Sequence, residues 1–210
     1  QLAKLSYRGI MAIRLTLNKT EKPLFCESKW WGDPDMSPDM EYPMMKVEGD
    51  EDYPLTFVCQ IRCEDIAALD PEGLLPHDGM LYFFAAVDEY AGYDSPVHLG
   101  IGEWPKGSVV VKYTRTINME TFQSFIMVDD DDQPVTDEAL EMSFSSCDDQ
   151  ADGIKLLGIP FFEEVREQYP DCVNLLQIDG DETADINFYD CGMLNIMVSQ
   201  ADLAKGLLKR

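Results

Sequence analysis

The sequence predicts an α+β fold with mostly antiparallel β-sheet and few short helices. Runs of strand length outnumber helical patterns, and many connections between them are too short for the crossovers that parallel strands require. Three landmarks also recur in the same order in two parts of the chain, which indicates two related halves that share one core. We therefore expect a single domain, 1–210, with repeat halves of about 25–128 and 150–200.

Seven strands are predicted from apolar patterns. Residues 11–17 alternate between apolar and polar positions, which is typical of a half-buried strand. The remaining runs combine aliphatic, β-branched and aromatic residues over strand lengths. These other predicted strands are 55–61, 79–87, 108–116, 122–128, 173–178 and 192–198.

The connections between these strands contain one long loop and short helices. Residues 31–54 are rich in Pro, Gly and Asp, a composition that argues against regular helix or a central strand and predicts a wrapped loop. Short helices are expected at 63–70 and at 136–144, the latter with a threonine cap. A capping box between Ser199 and Asp202 indicates a final helical turn.

Charge is the compositional feature that most limits function. Forty acidic against sixteen basic residues give a net charge of −24, which repels nucleic-acid phosphates and anionic lipid and favours cationic partners or metal ions. No apolar run reaches the roughly 18 to 20 residues that span a bilayer. The six cysteines form no C-x-x-C pair, so we expect free thiols in a reducing compartment.

The internal repeat is carried by short motifs that occur twice. A Gly-x-Pro turn, a Gln-Ile strand end and a Gly-Met-Leu strand start follow one another in both halves. A buried glutamine must satisfy its amide, so one hypothesis is that Gln60 and Gln177 hydrogen-bond to the Gly-x-Pro segment of their own half. The alternative is that both amides face a shared cleft. The corresponding residues are Gly32 and Gly158, Pro34 and Pro160, Gln60 and Gln177, and Gly79 and Gly192.

Motifs along most of the chain resemble one bacterial family of unknown function. The run SKWWGDP at 28–34, followed by Tyr42-Pro43, resembles the first motif of the YwqG-like family. The chain departs from that pattern at Trp31, where glycine is usual, and at Tyr42, where tryptophan is usual. The resemblance implies an α+β fold with two intertwined repeats in a cytoplasmic protein, and it supplies no catalytic residue. Similar blocks follow at 54–66, 74–84, 156–162, 175–182 and 189–198.

The leading functional hypothesis is a non-enzymatic binding protein whose acidic surface engages a cationic protein. Adjacent residues of an extended chain point to opposite sides, so we expect one of Trp30 and Trp31 to pack inward and the other to lie over the proline-rich loop or at a surface patch. The exposed ring and Tyr42 would anchor the partner. An immunity or antitoxin role fits the charge, because an acidic surface complements a basic toxin directed at nucleic acid. The candidate binding residues are Trp30, Trp31, Tyr42, Gln60, Arg62 and Gln177.

The alternative hypothesis is a carboxylate-based hydrolase or a metal-dependent enzyme that uses the turn at 179–185. Asp179 and Asp181 open this turn with the D-x-D spacing of a calcium loop, so they are the candidate ligands of Ca²⁺ or Mg²⁺. The turn then departs from an EF-hand, because Ala184 stands where glycine is required. No other cofactor is expected, and the four aspartates at 129–132 are interpreted as a solvated turn.

Overall fold

Strands form most of the regular structure. The computed structural model describes residues 11–46, 49, 52–87, 102–188 and 191–205; residues 189–190 of the block at 189–198 lie outside it. The strands are β1 (Ala12–Asn18), β2 (Lys29–Trp30), β3 (Asp35–Met36), β4 (Met44–Met45), β5 (Tyr53–Pro54), β6 (Thr56–Arg62), β7 (Met80–Ala85), β8 (Val109–Thr114), β9 (Gln123–Ser124), β10 (Leu140–Cys147), β11 (Lys155–Leu156), β12 (Cys172–Ile178) and β13 (Leu194–Ser199).

The helices within the described residues are short. The helix expected at 63–70 is confirmed as α1 followed by a 3₁₀ turn. The predicted cap at Ser199 is also confirmed, because its Oγ accepts a hydrogen bond from the Asp202 N–H at 3.1 Å. None of these helices has the length and apolar character needed to cross a membrane. Their bounds are α1 (Cys63–Ile66), the 3₁₀ turn (Ala67–Leu69), α2 (Glu163–Gln168) and α3 (Gln200–Ala204).

Nine strands form one antiparallel sheet, and this makes the α+β prediction wrong. The strand order is β13-β12-β11-β1-β10-β2-β6-β7-β8, and the sheet curls into a nearly closed, barrel-like form. The longest described helix has six residues, too few to form a layer against the sheet. The sheet encloses its own core by curling, so the fold is mostly β.

One predicted helix has the wrong type and one predicted strand has the wrong length, whereas the other six predicted strands are confirmed to within two residues at each end. The helix predicted at 136–144 is instead the start of β10, in which Leu140 and Met142 are buried at alternate positions. This two-residue period outweighs the weak helix-start signal. The strand predicted at 122–128 shrinks to β9, which pairs only with β3, outside the main sheet.

The register of the central strands relates the two halves of the sheet by an approximate two-fold axis. β1 and β10 pair antiparallel around Thr16 and Ser143. On one side β1 is followed by β11, β12 and β13, and on the other side β10 is followed by β2, β6 and β7. The N-terminal strand thus completes the C-terminal half, which supports the proposal of two intertwined repeats. The corresponding cross-strand pairs are Lys29–Gln60 and Lys155–Gln177.

Strand β7 separates two hydrophobic clusters. Leu81 and Phe83 belong to the main core inside the curled sheet, whereas Tyr82 and Phe84 belong to a smaller cluster on the outer face. This alternation is the two-residue period of a strand covered on both faces. The loop at 31–54 supplies two buried methionines to the outer cluster, so it wraps over that face of the sheet.

Candidate functional site

The two adjacent tryptophans are both buried, so the prediction that one lies at the surface is wrong. Trp30 is 0% and Trp31 is 3% exposed, and their rings meet edge to face with centroids 5.5 Å apart. Trp31 has a left-handed backbone (φ 55°), which breaks the extended alternation on which the prediction rested. Its Nε1–H donates to the Ala184 carbonyl at 2.9 Å. Both rings therefore serve the core.

The Gly-x-Pro turn has the same backbone conformation in both halves. Trp31 and Gly32 have φ of 55° and 73°, and Leu157 and Gly158 have φ of 59° and 70°. Glycine is required in the second copy, because a Cβ on Gly158 would lie 2.5 Å from the carbonyl oxygen of Asp149. The turn is a structural element in each half.

Gln60 and Gln177 hold the residue that follows each turn. Gln60 Oε1 accepts a hydrogen bond from the Asp35 N–H at 2.8 Å, and Gln177 Oε1 accepts one from the Phe161 N–H at 3.0 Å. Both Nε2 groups donate to backbone carbonyls of neighbouring loops at 2.9 to 3.2 Å. These contacts engage both polar atoms of each buried side chain, and they support the hypothesis that the glutamines pin the turns.

The first half buries an ion pair beside its turn. The fully buried carboxylate of Asp35 accepts hydrogen bonds from Lys29 Nζ, Gln60 Nε2 and the Cys26 N–H, each at 2.8 Å. Its other oxygen accepts from Ser124 Oγ at 2.6 Å. Burial raises the pKa of Cys26 to about 11, so this thiol is protonated at neutral pH. The network is inaccessible to a substrate and clamps the loop onto the sheet.

The second half buries a lysine at the matching place, and its ammonium group is held by backbone carbonyls. Lys155 is fully buried, and its Nζ donates to the carbonyls of Asp149 and Ile159 at 2.8 and 2.9 Å. Burial lowers the pKa of Lys155 to about 8. Phe161 stands where the first half has Asp35, so the two turns are alike in backbone and differ in electrostatics.

Arg62 and Tyr42 are the predicted binding residues that are only partly buried. Arg62 forms ion pairs with Glu27 at 3.5 Å and with Glu64 at 3.6 Å. The Tyr42 hydroxyl donates to a backbone carbonyl at 2.7 Å, and its ring stacks on that of Phe125 with centroids 4.6 Å apart. Through Phe125, the Tyr42 ring contacts an exposed segment that was not predicted as a site from the sequence.

The carboxylates of the two predicted cation ligands accept hydrogen bonds from nearby backbone N–H groups. Asp179 Oδ2 accepts from the Gly153 N–H at 2.9 Å, and Asp181 Oδ1 accepts from the N–H groups of Thr183 and Ala184 at 2.8 and 2.9 Å. Across the part of the chain that the structure describes, no group of three or more His, Cys, Asp or Glu residues is placed to hold a metal ion. The D-x-D spacing is explained by turn formation, and cation binding stays a prediction.

An exposed apolar hairpin stands outside the main sheet. We call residues 123–135 the acidic hairpin; its two arms meet at an antiparallel bridge between Val128 and Pro134. Phe125, Ile126 and Val128 are 44%, 57% and 45% exposed. Single exposed apolar residues are ordinary in proteins, but three within four consecutive positions concentrate exposed apolar surface on this arm of the hairpin, which is typical of an interaction site.

Four exposed aspartates, residues 129–132, form the turn between the two arms of the acidic hairpin. Asp129 Oδ1 accepts hydrogen bonds from the N–H groups of Asp131 and Gln133, both at 2.9 Å, which fixes the shape of the turn. The hairpin also lies within a segment, 116–154, that contains eleven carboxylates and no Lys, Arg or His. An apolar patch is thus joined to a strongly negative one.

This surface was not predicted from the sequence, because residues 122–128 were interpreted as a further strand and the aspartates at 129–132 as a solvated turn. Residues 125–128 are four consecutive apolar residues, whereas a strand with one buried face alternates. Such a run is typical of a strand covered on both faces, so its exposure here follows from tertiary structure and not from the local pattern.

Comparison with known proteins identifies a family and leaves its activity open. A family model described as a domain of unknown function, DUF1963, matches residues 28–208. This confirms the expectation of a family of unknown function, although the match does not carry the YwqG-like name. No curated protein matches the chain.

Proposed function

The chain belongs to the DUF1963 family of unknown function, and we propose that it is a non-enzymatic binding domain for a cationic protein, with the acidic hairpin as the docking surface. One observation carries the proposal: Phe125, Ile126 and Val128 are exposed directly beside the four aspartates at 129–132. Protein interfaces combine an apolar centre with a charged rim that selects the partner.

The hairpin is held in place before a partner arrives. The Phe125 N–H donates to the Pro34 carbonyl at 2.8 Å, and its ring stacks on Tyr42. The Asp129 carboxylate supports the turn through two backbone N–H groups. A preorganised surface loses less conformational entropy on binding than a mobile one, so these contacts favour affinity.

Charge supports a cationic protein as the class of partner. A second copy of this chain would bring the same aspartates and a net charge of −24, so self-association through this surface is opposed by repulsion. Nucleic acid is opposed for the same reason. A cationic protein is attracted, and neutralisation of a basic toxin is one form that this function would take. The six free thiols support a cytoplasmic setting.

The electrostatic part of the proposal is tested with a variant of the acidic hairpin that lacks three of its four negative charges. We expect the triple substitution Asp130→Asn, Asp131→Asn and Asp132→Asn to weaken binding of a short amidated peptide in which lysine and valine alternate. Three exposed ion pairs contribute about 1–3 kcal/mol in total, or about five- to 150-fold in Kd. Asn tolerates the left-handed backbone of Asp132 (φ 57°), and Asp129 is kept to hold the turn.

The matched control removes the same charge from another exposed segment. Glu163→Gln, Glu164→Gln and Glu167→Gln on α2 also raise the net charge by three, and we expect Kd to change by less than about twofold. Calorimetric titration of the lysine–valine peptide at about 0.15 M salt measures both variants. Equal weakening by the two triple variants would reject a specific docking surface, since it would reflect net charge alone.

The apolar half is tested by a single substitution. We expect Ile126→Ser to weaken peptide binding by about five- to 30-fold, because an exposed isoleucine that becomes buried contributes about 1–2 kcal/mol. Met119, which is 62% exposed and outside the acidic hairpin, provides the control substitution Met119→Ser. If Ile126→Ser leaves Kd unchanged, the exposed apolar residues are not part of the binding surface.

A further inference from the structure

We propose that the partner docks by adding an extended strand to an open backbone edge at residues 124–128. The inference rests on the proposed function and names how the same surface binds. Its partner is a protein segment in extended conformation with basic residues, and main-chain hydrogen bonds provide part of the affinity. The open edge is deduced from the hydrogen bonds on the opposite edge of the same segment.

The first part of the open edge follows from the pairing of β9 with β3. The Phe125 N–H donates to the Pro34 carbonyl, so residues 34 and 125 form a hydrogen-bonded pair. The next pair, Asp35 and Ser124, is therefore a non-hydrogen-bonded one. The Asp35 N–H accordingly points away from β9 and donates to Gln60 Oε1. By the same geometry the backbone N–H and C=O of Ser124 point away from β3.

The second part follows from the pairing within the hairpin. The Val135 N–H donates to the Met127 carbonyl at 3.1 Å, and the Asp129 N–H donates to the Gln133 carbonyl at 2.9 Å. Val128, which lies between these bonds, faces Pro134 as a non-hydrogen-bonded pair. The backbone N–H and C=O of Val128 therefore point away from the returning arm.

The two parts join through Ile126. Between β9 and the bridge at Val128 the chain runs without a turn or bend. Alternate residues of such a segment direct their backbone groups to the same edge, so Ser124, Ile126 and Val128 share one edge. Among the described residues, the N–H and C=O of Ile126 have no hydrogen-bond partner, and the residue is 57% exposed. The result is an unpaired backbone edge formed by alternate residues of this segment.

Charge decides what occupies this edge. An exposed apolar edge is a template for pairing with any extended chain, and acidic residues at its end disfavour pairing with another copy of the same edge. The aspartates at 129–132 would lie next to basic residues of an added strand, whereas a second copy would bring its own aspartates. The occupant inferred is therefore a basic extended segment of another protein.

Two measurements test strand addition with the lysine–valine peptide. In the first, amide hydrogen exchange of the wild-type protein is recorded with and without peptide, and we expect the Ile126 and Val128 amides to exchange at least about tenfold more slowly when peptide is bound. In the second, the peptide carries N-methyl groups either on its central lysines or on its central valines, which blocks one or the other of its edges. We expect one of these peptides to bind at least about tenfold more weakly than the parent.

The outcomes separate this inference from the proposed function. If the parent peptide binds and the Asp130→Asn, Asp131→Asn, Asp132→Asn variant binds it more weakly than the triple variant on α2 does, the docking surface stands. In that case unchanged exchange at Ile126 and Val128, or full affinity of both N-methylated peptides, would overturn strand addition alone. If the parent peptide does not bind, or binds the two triple variants equally well, the proposed function is overturned and the strand inference with it.

Discussion

Gln60 and Gln177 occupy equivalent positions and perform the same task, because each accepts the backbone N–H of the residue that follows a Gly-x-Pro turn. Each glutamine is also paired with a buried lysine on the neighbouring strand of the sheet. The two halves of the fold are therefore built around the same hydrogen-bonded unit, which locks one loop onto one end of a strand.

We expect Gln60→Leu and Gln177→Leu to lower the free energy of unfolding by similar amounts, about 2–3 kcal/mol each. Leucine has a similar size, but it leaves buried backbone groups of the pinned loops without partners. Urea unfolding measures the change. Gln168→Leu, at an exposed position on α2, is the control and should stay within about 0.5 kcal/mol of the wild type. A loss confined to one of the two buried glutamines would contradict their equivalence.

The buried ion pair of the first half predicts a large effect from a small change. Asp35→Asn should lower the free energy of unfolding by about 3–5 kcal/mol, because it leaves the Lys29 ammonium group buried without a counter-charge. Lys22 pairs with Glu141 at the same 2.8 Å distance, but the Lys22 side chain is 70% exposed. Lys22→Gln should therefore leave the free energy of unfolding close to that of the wild type, and a cost equal to that of Asp35→Asn would show that burial is not the deciding factor.

Lys155 predicts a pH dependence at alkaline pH. Its pKa is lowered by burial to about 8 in the folded protein from the ordinary value of 10.5, so the unfolded chain binds more protons between those two values. Stability contributed by this group therefore rises as pH increases from about 8 to 10.5, and it is independent of pH below that window. The difference in unfolding free energy between wild type and Lys155→Met, measured in urea at several pH values, should show this rise. A flat difference would mean that Lys155 stays charged in the fold.

Substitution of Trp31 is expected to lower stability and to leave peptide binding unchanged. Trp31→Phe removes the hydrogen bond to the Ala184 carbonyl and should lower the free energy of unfolding by about 1–3 kcal/mol. The affinity for the lysine–valine peptide should not change, because Trp31 is buried in the core. Tyr42→Ala should instead weaken peptide binding, since the Tyr42 ring supports Phe125. Weaker binding after Trp31→Phe, at a temperature where the variant is folded, would show that Trp31 contributes to the binding surface.

The sequence predicted the long strands well and the short elements poorly, for a physical reason. Apolar runs such as 173–178 have lengths and compositions that only a covered strand explains. β2 and β11 have two residues each and exist because the neighbouring strands hold them, so no local pattern reveals them. The helix predicted at 136–144 failed because pairing with β1 overrides its local propensity.

The candidate site was predicted in part. Buried glutamines must be satisfied, so the loop contacts of Gln60 and Gln177 could be anticipated from their apolar surroundings. The burial of both tryptophans could not, because it depends on the left-handed backbone at Trp31, a conformation that is uncommon outside glycine. The exposure of Ile126 also depends on tertiary structure, since β9 pairs with β3 rather than with the main sheet.

The most direct test of the central claim is the location of peptide binding on the wild-type protein. Titration of ¹⁵N-labelled protein with the lysine–valine peptide, followed by backbone amide chemical shifts, maps the contact surface in one measurement. We expect the largest changes to fall within residues 123–133, in the acidic hairpin, and α2 at 163–168 to be little affected. Changes concentrated on α2, or spread evenly over the acidic surface, would rule out docking at the acidic hairpin.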